Sequence, residues 1–270
     1  MLPLMQINAQ CGTALDARRM SASTSRLKVE EPRDDGHGPA IGTRAPLSRY
    51  AMEHALPAGT VLFEQGDVPN FQVVLVSGSV QLFGRSADGR EVLIEVVRAP
   101  DLVIPAAVLT GSPYLMQARV PEPSKFLLVQ ADVFREAIDR DPQLAKAVLG
   151  TLAEQFRRMV RQTKNLKLRS AAERVGCYLL VLSERQGTPD RALLPYEKHV
   201  IASELGMTRE SFSRALNALA KAGISVDGQE VTIHDRIRLA KAAIPDPMID
   251  PPDPDGTERQ VLELIGRLRG

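Results

Sequence analysis

Residues 197–220 read EKHVIASELGMTRESFSRALNALA, and two short helical patterns meet there at one glycine. The first half turns Val200, Ile201 and Leu205 inward, with small Ala202 where a second helix must come close. Gly206 follows, at the position where a tight helix–helix turn wants a positive φ. Thr208 is the expected cap of a new helix, in which Phe212, Ala215, Leu216 and Leu219 share one face. Glu210, Ser213, Arg214 and Asn217 recur at i, i+3, i+4 and i+7 on the opposite face, with Arg209 in the first turn.

That polar face carries the functional information. A helix in the major groove reads bases through side chains near its N-terminus. Arg forks onto guanine, Glu accepts from cytosine, and Ser reaches a base or a phosphate. An acid between two arginines repels phosphate, so it suits base reading, braced by a neighbouring guanidinium, better than plain charge attraction. The alternative is a solvated surface helix with an i,i+4 pair, Glu210–Arg214, worth a few tenths of a kcal/mol. Downstream, GISVDGQEVTIHD (223–235) reads as two short strands around an Asp227-Gly228 turn, the wing of a winged helix.

Upstream, Ser170-Ala-Ala-Glu173 is a capping box that opens a helix with Val175, Leu179 and Leu182 on its apolar face. The point between Arg169 and Ser170 is therefore the candidate hinge. Before it, Asp141-Pro142 supplies an N-cap and a first-turn proline. Leu149, Leu152, Phe156, Met159, Thr163 and Leu166 then recur at alternating spacings of three and four, a heptad seam that predicts a coiled-coil-like dimer contact. The same stretch holds Arg157, Arg158, Arg161, Lys164, Lys167 and Arg169, with no acid from 155 to 172. Such a run predicts a solvated helix face or a surface near a polyanion.

From about Leu56 to Gln130 the period is two. GTVLF (59–63), QVVLV (72–76), SVQLF (79–83), EVLIEVV (91–97), LMQARV (115–120) and KFLLV (125–129) are separated by turn signals, Asp88-Gly89 being the clearest hairpin. An antiparallel sandwich or barrel is expected, followed by a short helix at Asp132–Ile138. Residues 1–46 show no sustained pattern and read as a flexible tail. PDPMIDPPDPD (245–255) reads as a stiff acidic linker, and Thr257 caps a short helix with Val261, Leu264, Ile265 and Leu268 on one face. That helix, too short to stand alone, is expected to dock on the winged domain, to meet a partner, or to fray.

Composition removes whole classes. The 270 residues carry 34 Lys+Arg against 33 Asp+Glu, so any nucleic-acid contact rests on local placement. Two cysteines, Cys11 and Cys177, exclude a disulfide framework and a Cys-only zinc or iron–sulfur site within one chain. No His falls between His54 and His199, which defeats a cupin-type metal enzyme, and no phosphate-binding GxxxxGK[ST] loop is present. Apolar runs fall short of the ~18–20 residues of a membrane span. A soluble, cytoplasmic non-enzyme is expected.

Over about 56–240 the chain resembles the Crp/Fnr family of bacterial transcription regulators, through the PAGTVLFEQGD run, the VSGSVQLF strand pair, the long helix and TRESFSR. The resemblance implies an α+β fold: a cupin-like, cyclic-nucleotide-binding-like antiparallel β-roll at 47–140 and a dimerisation helix at 141–169. A winged helix-turn-helix at 170–244 and a Pro-rich linker with a short helix at 245–270 complete it. It implies a homodimer, probing double-stranded DNA with Arg209, Glu210, Ser213, Arg214 and Asn217, and contact with RNA polymerase, activation being the commoner outcome. The E-x-x-S-R pattern of Glu210, Ser213 and Arg214 is similar to the Fnr-like branch, while Arg209 matches the Crp-like one, leaving TTGAT-type and TGTGA-type half-sites both open.

Family members that bind cyclic AMP carry a Gly-Glu pair and then an Arg-Ser/Thr-Ala run. The matching positions here are Ile104 and Pro105, then Leu115 and Met116, while the adenine-contacting hydroxyls fall at Met159 and Val160. Leu and Met cannot replace the hydration of a cyclic phosphate, so cyclic AMP is not the expected effector, and the cysteines of the iron–sulfur branch are missing. An apolar effector or haem is expected in a pocket of Ile104, Val108, Leu115, Met116, Met159 and Val160, with His54 as the haem ligand. The alternative is that these residues are core. A dimeric signalling module that binds no DNA is the competing function.

Overall fold

The computed structural model describes residues 50–250 and 257–269; the tail of residues 1–46 and residues 251–255 of the Pro-rich stretch lie outside the described residues. Eight strands form two four-stranded antiparallel sheets. The first holds β1 (Ala51–Leu56), β8 (Ser124–Gln130), β3 (Phe71–Ser77) and β6 (Asp101–Val103) in that spatial order. The second holds β2 (Val61–Phe63), β7 (Gln117–Arg119), β4 (Ser79–Arg85) and β5 (Glu91–Arg98). Leu75, Leu82, Val97, Phe126 and Leu128 from both sheets close a common interior.

The apolar run of β8 has a physical reason. Phe126 and Leu128 point into the roll, while Leu127 and Val129 point out of it and are covered as well. The cover consists of α2 (Ala131–Arg140), α3 (Pro142–Leu168) and α8 (Thr257–Arg269). A strand buried on both faces loses the polar alternation of a half-exposed one. The β4–β5 hairpin turns where Asp88-Gly89 stands, with Gly89 at φ 84°. Three pieces of the roll carry too short a pattern to be read from the sequence: β1, β6 and α1 (Pro105–Thr110).

Asp141 caps α3, its carboxylate accepting from the amides of Gln143 (2.9 Å) and Leu144 (3.3 Å). Leu144 and Val148 then bury against the outer face of the roll. Arg169 breaks the helix with extended backbone, and Ser170 opens α4 (Ala171–Arg185) through a complete capping box: Ser170 N donates to Glu173 (2.6 Å) and Glu173 N to Ser170 Oγ (3.3 Å). The C-terminal unit continues with β9 (Arg191–Leu193), α5 (Lys198–Glu204), α6 (Arg209–Ala220), β10 (Ile224–Asp227), β11 (Glu230–Ile233) and α7 (Arg236–Ala243). Its three strands pair in the order β10-β11-β9. Gly176 lets α4 touch α7: a Cβ there would stand 2.7 Å from that of Ala243.

The C-terminal segment goes somewhere the sequence did not indicate. The predicted face of Val261, Leu264, Ile265 and Leu268 is real, but it buries on the β-roll and α3, not on the winged domain or as a frayed end. The reason is that Leu127, Val129 and Val74 present an apolar sheet face that α8 covers together with α2 and α3. Arg267 donates to Asp141 (3.0 Å) and Arg269 pairs with Glu53 (3.3 Å), fixing its far end. Nor is 245–250 a free linker: Lys164 pairs with Asp246 (3.7 Å), and Arg169 forks onto both carboxylate oxygens of Asp250. The basic run of α3 is thus not simply a solvated face, because acids from distant segments meet it.

Among the described residues, no helix is long and apolar enough to cross a membrane. Leu264→Ala should lower the unfolding free energy by about 2–4 kcal/mol in urea titration, the usual cost of a core Leu truncation. Leu262→Ala, on the face of α8 that is 52% exposed, should change it by less than about 0.5 kcal/mol.

Candidate nucleic-acid interface

The recognition element is built by its caps. Gly206 takes φ 64° after α5, and a Cβ there would stand 2.3 Å from Cδ2 of Leu166 in α3, so the turn both reverses the chain and seats against the long helix. Thr208 caps α6, its Oγ1 accepting from the amide of Ser211 (3.2 Å). Phe212, Ala215, Leu216 and Leu219 are buried, which rotates the opposite side outward. Arg209, Glu210, Ser213, Arg214 and Asn217 are all exposed on it. The five predicted side chains therefore share one accessible helix face.

The local electrostatics differ from the expected bracing. The nearby backbone amide of Glu210 and the Thr208 hydroxyl hold the Glu210 carboxyl below the usual range, with the two arginines contributing less. A carboxylate at the positive end of a helix is favourably placed. Arg214 makes no ion pair with Glu210 among the described residues; it donates to Ser211 Oγ (2.9 Å). The Thr208–Ser211–Arg214 ladder fixes the guanidinium on the exposed face of α6. Ser211 was not singled out in the sequence, although its i, i+3 spacing from both partners was visible. Beside the helix, β10 and β11 form the wing around Gly228 (φ 55°), and His234 Nε2 sits 2.8 Å from Ser225 Oγ, a structural use of that histidine.

The interface is held against the roll at several points. Arg98 at the end of β5 donates to both oxygens of Glu204 in α5 (3.1 and 3.3 Å) and lies 5.5 Å from the ring centroid of Tyr196. Gln162 of α3 donates to Ile94 O (3.0 Å). Behind them, buried Asp101 accepts from Gln155 (3.1 Å) and Arg158 (2.6 Å). Burial raises its pKa, while Arg158 pulls the other way.

The six residues expected to line an effector pocket do not gather. Val108 is fully buried in the core between sheet and helices, and Ile104 and Met116 pack on the roll interior. Leu115 is 82% exposed, and Met159 and Val160 lie on the surface of α3. The physical reason is that α1 turns Ile104, held at φ 44°, and Val108 to opposite sides of the sheet. His54 is half-buried on β1 opposite Phe126, its Nε2 without a partner among the described residues. No group of three or more His, Cys, Asp or Glu side chains among those residues could hold a metal ion. The seam residues Leu149, Phe156, Met159, Thr163 and Leu166 are exposed and Leu152 is half-buried.

Comparison with known proteins fits this arrangement. Residues 53–141 match the cyclic nucleotide-binding domain family, and residues 173–242 match the Crp-like helix-turn-helix domain family. A solved regulatory protein of Silicibacter pomeroyi, described as a candidate cAMP-binding protein, is 30% identical over 73% of this chain and 88% of its own, with a TM-score of 0.50. The chain belongs to the Crp/Fnr family of transcription regulators. The CRP-like cAMP-activated global transcriptional regulator of Mycobacterium tuberculosis is 27% identical to this Crp/Fnr protein over 204 residues, covering 74% of this chain and 91% of that one. The nitrogen fixation regulation protein FixK of Azorhizobium caulinodans is 29% identical over 209 residues, 75% of this chain and 79% of that one. The DNA-binding transcription regulators of this family are not enzymes, and the winged unit of this Crp/Fnr chain is its DNA-binding domain.

Thr208→Ala should lower thermal stability by about 1 kcal/mol through the lost cap. Ser211→Ala should cost little in the same melt but weaken DNA binding in fluorescence anisotropy, because Arg214 loses its positioning partner.

Proposed function

We propose that the protein is a homodimeric, sequence-specific regulator that reads a palindromic operator through the outer face of α6 under an effector other than cyclic AMP. The observation that carries this reading is the single exposed stripe of Arg209, Glu210, Ser213, Arg214 and Asn217, with Arg214 already braced by Ser211. Two such helices about 34 Å apart enter successive major grooves of one duplex.

Dimerisation is supported by α3. Leu149, Phe156 and Met159 are 66%, 64% and 61% exposed along one stripe, while Leu144 and Val148 on another side are buried in the chain's own core. A regular apolar stripe that its own domain leaves bare is what a second copy of the helix would cover. The case against cyclic AMP rests on the cassette. Ile104 and Pro105 open α1, Leu115 projects to solvent, and the next arginine along the chain, Arg119, is committed to Glu91 (2.8 Å) and to the Phe83 ring (4.6 Å from its centroid). Activation through RNA polymerase and a cytoplasmic setting follow from the family resemblance.

Arg214→Ala should weaken binding to a preferred TTGAT-type or TGTGA-type palindrome by about 1–3 kcal/mol, and narrow its advantage over unrelated DNA, in anisotropy titrations at fixed salt. An unchanged preference among sequences counts against base reading by this residue. Phe156→Asp should convert a dimer to a monomer in sedimentation velocity and reduce operator affinity with it. Cyclic AMP should leave the operator affinity unaltered; a tenfold gain would return the protein to the cyclic-nucleotide-responsive branch.

A further inference from the structure

A cavity of about 520 Å³ opens where the two domains meet, bounded by β5, the last turns of α3 and one face of α4. Its α3 wall is Arg158, Arg161, Gln162 and Asn165, spaced i, i+3, i+4 and i+7. Its α4 wall is Arg174, Tyr178, Val181, Leu182 and Arg185, again one helical stripe. Ile249 and Asp250 of the C-terminal segment also line it. The α3 residues project away from the stripe of Leu149, Phe156 and Thr163, so pairing through that stripe leaves the cavity open.

The charges in this cavity do not balance. Arg98 is paired with Glu204, and Arg169, just outside the wall, is paired with Asp250. Arg161, Arg174 and Arg185 have no carboxylate within 4.0 Å among the described residues. Three buried donor atoms have no partner among the described residues: Nη1 of Arg161, Nε of Arg174 and the hydroxyl of Tyr178. Arg174 Nη1 donates to the Arg169 carbonyl (2.8 Å), and burial lowers its pKa. Buried donors are almost always satisfied in folded proteins, and those that are not ask for an unseen partner. Glu95, 3.6 Å from Arg158, and Glu204, paired with Arg98, line the cavity as well, and Val96, Val181, Leu182, Leu205 and Ile249 add apolar wall.

We infer that this junction cavity binds a small phosphate-bearing molecule that also carries an apolar or aromatic group. Guanidinium forks match phosphate oxygens in shape and charge, and two arginines with a phenol supply donors for more oxygens than a lone carboxylate presents. The volume lies in the range of small-molecule sites, and mixed apolar walls with a few convergent donors are their usual make-up. The site is separate from the roll interior, where the family's cassette lies, and separate from the α6 face. Because β5, α3 and α4 all contribute, occupancy ties the sensor domain to the DNA-binding domain across the Arg169–Ser170 joint.

The test is calorimetric titration of the full chain with phenyl phosphate, inorganic phosphate and, at matched ionic strength, sodium chloride. Phenyl phosphate should bind once per chain, at least tenfold more tightly than inorganic phosphate. The double variant Arg161→Gln/Arg174→Gln should weaken it at least tenfold while melting no lower than the parent, since it removes charges that lack partners. If that variant does not fold, Val181→Phe, which narrows the cavity from its apolar wall, carries the same expectation. The inference is overturned if phenyl phosphate shows no saturable binding tighter than about 10 mM, or if its binding survives both changes. It is equally overturned if Arg209→Ala/Arg214→Ala abolishes the binding, for the anion would then be sitting on the DNA-reading face. None of these readouts requires the chain to bind DNA, so failure here leaves the operator-reading proposal standing.

Discussion

Helix α3 runs 27 residues, about 40 Å at 1.5 Å per residue, and a small β-roll can cover only part of such a rod. Its first turns sink Leu144 and Val148 into the outer core of the roll, and further along Gln155 and Arg158 bond to Asp101 at the end of the buried sheet. That anchoring rotates Leu149, Phe156 and Met159 outward, where nothing among the described residues covers them. It also carries Leu166 to the turn at Gly206, so the long helix sets where the recognition helix sits. One element thereby fixes the bare stripe, the seat of the DNA-binding unit and the wall of the junction cavity.

The junction is held mostly by polar contacts between long side chains. Arg98 reaches Glu204, Gln162 reaches Ile94 O, and Arg169 grips Asp250 in nearly full burial. Partly exposed pairs such as Arg98–Glu204 contribute little net stability, because screening and side-chain ordering offset the attraction. The hydrophobic clusters of the roll and the winged unit, by contrast, are separate and complete in themselves. Two stable bodies joined by weak, directional bonds are suited to being reset by a ligand. The strap made by 244–250 and α8 adds to this, since it leaves the winged unit and ends on the outer face of the roll.

Much of the architecture was legible because it is local. The cap at Asp141, the box at Ser170, the turn at Gly206, the cap at Thr208 and the Asp227-Gly228 wing each depend on residues within one turn of each other. The exposed side of α6 followed from its buried side. What was not legible involved contacts far apart in sequence. A basic run without neighbouring acids reads as solvated face, yet Asp101, Asp246 and Asp250 reach it from far along the chain, 57 residues away in the first case and 81 in the last. The six-residue pocket failed for a related reason: a shared apolar character says nothing about which side of a sheet each residue takes.

Taken alone, the chain determined most of its elements, the order of its two domains and which side chains stand exposed on the outer face of α6, since periodicity and capping act over a few residues and tolerate no rearrangement. Tertiary structure alone decided that α8 returns to the β-roll, that Arg214 leans on Ser211 rather than Glu210, and that half-buried arginines from two helices converge on one cavity. Those outcomes depend on which surfaces remain uncovered once the larger cores have closed, and that is a property of the assembled shape, not of any window of sequence.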